Sequence, residues 1–108
     1  MTQTDLLLEI LGTYRKHGWV LRRVLLTEEA QQTFTDHSAF GDATLASSTI
    51  NALWFSRPSH EQREAWELRL VSEAPYALFE TFESDELEEQ REEVRTEMEA
   101  RMREYASK

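Results

Sequence analysis

The sequence predicts an α+β fold: an N-terminal helix, a four-stranded antiparallel sheet and a long C-terminal helix, with the helices mainly on one face of the sheet. Three observations predict it. Apolar residues recur at helical spacing at both ends of the chain, they alternate with period two through much of the middle, and the last three alternating segments follow one another closely. Short connections impose antiparallel pairing, and an apolar sheet face calls for helices packed upon it. At 108 residues the chain is expected to form one domain, residues 1–108.

Residues 4–17 read as the first helix. Leu7, Ile10, Leu11 and Tyr14 form one apolar stripe, Thr4 is placed to cap the start, and Asp5 suits the positive dipole end. Arg15, Lys16 and His17 suit the last turn, and Gly18 fits the left-handed position after it. Trp19 to Leu26 reads as a strand, with Val20, Val24 and Leu26 on one face, Trp19, Leu21 and Leu25 on the other, and Arg22 and Arg23 on opposite faces. Residues 27–48 are the least legible. A short helix from Thr27 to about Phe34 leads into a small, polar stretch with no clear period.

Ile50 to Arg57 reads as the second strand. Ser59 and Gln62 have capping-box spacing, which predicts one helical turn in the connection. Ala65 to Ser72 alternates most cleanly, with Trp66, Leu68 and Leu70 against Glu67 and Arg69; after Glu73-Ala74-Pro75, Tyr76 to Phe82 reads as the last strand. Ser84 is placed to cap a helix over residues 85–105.

Composition removes several function classes. The net charge of −9 argues against sequence-independent nucleic-acid binding, which needs a basic surface. No apolar run reaches the roughly 18 residues of a membrane span. The chain has no cysteine, so disulfides, thiolate nucleophiles and cysteine-held metals are out. Together with an N-terminus lacking a basic, signal-like start, this predicts a cytoplasmic location. Gly12, Gly18 and Gly41 stand alone, so no glycine-rich phosphate loop is present. His17, His37 and His60 fall in separate segments, and no metal or cofactor is expected. No spacing marks a catalytic set, and the reading leans away from an enzyme.

Charge and aromatic residues carry what functional signal there is. Residues 80–93 hold eight acids against Arg91 alone, a local charge of −7. Four of those acids suit a helix N-terminus, so the tract reads first as a solvated helix face; the functional alternative is a basic partner or, less readily, a divalent cation. Trp19, Trp54, Phe55, Trp66, Tyr76, Phe79 and Phe82 all fall on predicted strands, more than one covered face obviously buries. One reading is an aromatic patch on the second sheet face, with Trp19, Trp54 and Trp66 framed by Arg22, Arg57 and Arg69. The other reading covers both faces with the helices and residues 27–48.

The C-terminal helix carries a narrow stripe: Leu87, Val94, Met98, Met102 and Tyr105. Its charge runs from acidic to basic, so two antiparallel copies would match, which predicts a homodimer crossing near Thr96. A helix docking on its own sheet uses the same stripe. The sequence therefore supports a binding or adaptor module acting on a protein partner or on itself, with neither nucleic acid nor membrane. The alternative is a small-molecule binder or enzyme with a pocket between helices and sheet.

Overall fold

Thr2 starts the first helix. In the computed structural model, which describes residues 2–107, the Asp5 N–H donates to the Thr2 hydroxyl at 3.1 Å and the Thr2 N–H donates to the Asp5 carboxylate at 3.4 Å. This reciprocal box explains why α1 (Gln3–Lys16) begins ahead of Thr4: only the earlier cap has an acid three residues on. Leu7, Ile10 and Leu11 are buried along the predicted stripe.

The end of α1 is a well-defined stop. Gly18 takes φ +85°, and the Trp19 N–H donates to the Tyr14 carbonyl at 3.0 Å. The Gly18 N–H donates to the Arg15 carbonyl at 3.1 Å. These two bonds make a Schellman motif, and its accompanying apolar contact is Trp19 against Tyr14, edge to face at 6.0 Å.

Strand β1 (Val20–Leu26) follows. Its register against its antiparallel neighbour slips between Leu21 and Arg23, which is a β-bulge. The slip puts Leu21 on the face of Val24 and Leu26, correcting the plain alternation read from sequence. Two adjacent arginines look like ordinary alternation, so nothing local announces the extra residue.

The illegible middle contains α2 (Glu28–Thr33), capped by the Thr27 hydroxyl as expected, then a 3₁₀ turn over Ser38–Phe40 and a short strand, β2 (Thr44–Ser47). β2 pairs parallel to β1, from Arg23↔Thr44 to Leu26↔Ser47. It is the one parallel pairing in the sheet. β3 (Ala52–Pro58), β4 (Glu64–Leu70) and β5 (Ala77–Phe82) then form the predicted meander. The spatial order is β2-β1-β3-β4-β5, so the sheet has five strands and is mixed at one edge. Between β3 and β4, Glu61 and Gln62 adopt left-handed backbone (φ 56° and 64°), and Ser59 makes no cap bond. With the Arg63 N–H donating to the His60 carbonyl at 3.0 Å, the expected capped helical turn is instead a hairpin turn of type I′ handedness.

The fold is α+β, with an N-terminal helix, a largely antiparallel sheet and a long C-terminal helix, α3 (Glu88–Ala106). The helices divide between the faces rather than sharing one. α1 and α2 cover Leu21, Val24, Leu26, Leu53 and Phe55. α3 covers Leu25, Ala52, Trp54, Trp66, Leu68 and Phe82 with Met98 and Met102. The cause is the apolar content of both parities of β3, where Ala52 to Ser56 are all buried. α3 starts at Leu87, three residues past Ser84, because the Glu83 N–H donates to the Glu86 side chain at 2.8 Å and closes a turn first.

Candidate functional site

Of the two readings of the aromatic residues, the covered one describes Trp54 and Trp66, which form the floor beneath α3. Trp54 is 0% exposed and Trp66 7%. They meet edge to face at 5.9 Å, and Phe82 continues the row at 6.5 Å from Trp66. The Trp54 indole N–H donates to Glu99 of α3 at 2.8 Å. Arg95 is buried to 1% exposure, its guanidinium 4.1 Å from the Trp66 ring centre and its Nη1 donating to Glu88 at 2.7 Å. Arg23 reaches across from β1 to Glu92 with two bonds of 2.7 and 2.8 Å. A surface made of Trp54 and Trp66 is thus filled by the chain's own helix.

The stripe on α3 is buried in its middle and exposed at its ends. Met98 and Met102 are buried against the sheet, Val94 packs beside them, and Tyr105 stacks on Tyr76 at 3.5 Å. Leu87 stays 64% exposed at the helix start. The acidic tract is partly consumed too. Glu83 pairs with Arg63 at 2.8 Å, Glu88 with Arg95 and Glu92 with Arg23. The bonds from Arg95 and Arg23 hold the Glu88 and Glu92 carboxyls below the ordinary carboxylate range.

Two places keep predicted residues at the surface. The first is the corner where α1 ends. The Arg57 guanidinium lies 4.6 Å from the Trp19 ring centre, and its Nη1 donates to the His17 carbonyl at 2.9 Å. Arg22, on the bulge, donates through Nε to the buried Ser56 hydroxyl at 2.8 Å. Trp19 and Arg57 thus lie together on the α1 face of the start of β1, whereas Arg22 reaches Ser56 on the α3 face.

The second is the half of the sheet that α1 leaves open. On the α1 side, Phe55, Glu67 and Phe79 form one cross-strand row. Tyr14 stacks on Phe55 at 4.1 Å, and its hydroxyl donates to Glu67. Burial, then the Glu67 hydrogen bond and its charge, push the Tyr14 phenol well above its usual pKa. The helix cover ends there. Phe79 stands 58% exposed, with Ala77 exposed beside it and Arg69 half-buried on β4. Arg69 donates to the Leu70 carbonyl. β5 is the last strand of the sheet, six residues long and paired without a bulge.

Catalytic chemistry finds little here. His17 and His37 bond to nearby backbone carbonyls at 2.8 and 2.9 Å. Among the described residues no group of three or more His, Asp or Glu is placed to hold a metal ion, and no helix is long and apolar enough to cross a membrane. No protein-family model matches the chain, and no curated protein or solved structure matches it significantly. The site therefore rests on the residues themselves.

Glu67 and β2 escaped the sequence reading. Glu67 reads as the polar half of an alternating strand, and only its partner across the sheet gives it a role. β2 has a single large apolar residue, Leu45, which is too little to establish a period.

Proposed function

We propose that the protein is a small cytoplasmic binding module without chemistry of its own, and that it takes an extended, net-basic segment of another protein as a sixth strand beside β5. β5 itself carries this reading. It is a six-residue edge strand with no proline, no bulge and a central Phe79 left 58% exposed. Natural sheets usually blunt such an edge, because its unpaired backbone groups template another strand. The other edge is blunted: β2 is only four residues long. Strand addition would satisfy the backbone of β5 and lay apolar side chains over Phe79.

Charge selects the partner. Exposed Glu80 lies within β5, with exposed Glu73 before it, and the whole chain carries −9. Such a field speeds encounter with a basic segment and disfavours like charge. A second copy would bring the same acids to the same edge, so the expected occupant is a different protein.

The test starts from extended peptides selected on the protein from a random display library, with affinity read by fluorescence anisotropy. Selected peptides should be net basic with an apolar centre. Phe79→Asp should weaken them about tenfold or more, as truncating an interface anchor does, while circular dichroism stays unchanged. Peptides with no charge bias that bind Phe79→Asp as tightly as the parent overturn the reading.

A further inference from the structure

The free side of β5 is set by its pairing with β4. The Leu70 N–H donates to the Tyr76 carbonyl at 3.0 Å, and the register runs unbroken from Arg69↔Ala77 to Glu64↔Phe82. Hydrogen-bonded positions alternate along an antiparallel pair. Tyr76, Leu78, Glu80 and Phe82 therefore bond inward to β4, and the N–H and C=O groups of Ala77, Phe79 and Thr81 point away from it. An antiparallel guest strand must take those outward groups. Its residues opposite Leu78 and Glu80 then fall at non-hydrogen-bonded positions, where Cα atoms come within about 4.5 Å and side chains approach most closely.

Cross-strand partners assign the faces. Glu80 lies opposite Trp66 and Leu78 opposite Leu68, so both share the α3 face. Phe79 lies opposite Glu67, and Ala77 opposite Arg69, on the α1 face. Glu80 is exposed, and among the described residues no cation lies within ion-pair distance of it. The cations of α3 on that face are taken: Arg95, over the Trp66 ring, is held by Glu88 at 2.7 Å, and Arg91 lies 3.6 Å from Glu64. On the α1 face the charge across from small, exposed Ala77 is positive. Half-buried Arg69 has no carboxylate within ion-pair distance among the described residues. Glu67, the acid of β4 on that face, already accepts a hydrogen bond from the Tyr14 hydroxyl.

We infer, on the reading of β5 as a docking edge, that its guest is an antiparallel strand with a basic residue directly opposite Glu80, followed by an apolar residue over Phe79 and a second beside Leu78. Glu80 is the specificity-determining residue. The guest's basic charge is confined to the α3 face, because a basic residue opposite Ala77 would add a like charge near Arg69. Direction fixes the order. An antiparallel guest passes Glu80 before Phe79 and Leu78, so its motif reads basic-apolar-apolar from the N-terminus. A parallel guest would read apolar-apolar-basic.

The probes are three fluorescein-labelled peptides of equal length: Lys-Ile-Val between Ser-Thr flanks, the same peptide with Glu in place of Lys, and the order-reversed Val-Ile-Lys. Each keeps Ile over Phe79. Anisotropy titration of the parent protein should rank Lys-Ile-Val about two- to fivefold tighter than either alternative. On Glu80→Lys the Lys and Glu peptides should exchange ranks. Glu9→Lys on α1, the same charge change away from the edge, should leave the ranks unchanged, and Phe79→Asp should weaken all three. Unchanged ranks on Glu80→Lys, equal affinity for Val-Ile-Lys, or no binding by any of the three overturns the inference. If Phe79→Asp still weakens binding in a protein whose ranks ignore Glu80, strand addition at β5 survives and only this register fails. Affinity indifferent to Phe79→Asp overturns strand addition itself.

Discussion

Arg95 shows how a polar helix is seated on an aromatic floor. Its side chain is buried between Glu88 and the rings of Trp66 and Phe82, and its Nε has no partner. The stem and the ring stacking supply packing, whereas burying the charge carries a desolvation cost that Glu88 only partly offsets. Arg95→Ala should therefore destabilise by about 2–3 kcal/mol through the void it leaves. Arg95→Met should be neutral or stabilising in urea denaturation. Tyr14 makes a pH-dependent contribution. Its folded-state pKa is raised, so the contribution is intact below about pH 10, the unfolded value, and is lost as pH climbs through the folded value. Melting temperature should fall more steeply above that pH in the parent than in Tyr14→Phe. Glu92 has the opposite sign. Its folded pKa is lowered, so stability present above the ordinary carboxylate range is lost as pH falls through the folded value. Glu92→Gln should flatten the acid limb of the stability profile.

Elements divide sharply in how well the sequence announces them. The α1 stripe, the Gly18 stop and the β3–β5 alternation were legible because local period and burial agree. The Trp19 contact with Tyr14 follows from that stop, so part of the α1 corner was legible too. Gly18→Ala meets no atom within 4 Å, so its cost is backbone strain at φ +85°. That cost should be about 1 kcal/mol or more, with a shift of Trp19 fluorescence. β2, the bulge at Arg22 and the late start of α3 were not legible, because each depends on a distant strand or a competing turn. The same limit hid which aromatic residues stay exposed. No local pattern distinguishes Phe79, left open, from Trp66, covered by a helix that follows only after the next strand. The β3–β4 turn carries its own prediction. Glu61 and Gln62 hold left-handed backbone, so Gln62→Gly should raise stability by about 0.5–1 kcal/mol in thermal melts.

At the scale of the molecule, the Arg23–Glu92 and Arg95–Glu88 pairs seat α3 and are neutral, so the net charge of −9 lies outside them. The middle of the C-terminal stripe, Met98 and Met102, is buried inside the fold while Leu87 and Tyr105 at its ends stay exposed, and a helix-free half-face remains beside β5. The edge of β5 is thus the central claim, and backbone amides test it most directly. With a selected basic peptide added, the ¹⁵N-labelled protein should show its largest shift changes, and slowed amide exchange, within residues 77–82. Changes confined to α3 or to the Trp19 corner, with residues 77–82 unmoved, contradict it.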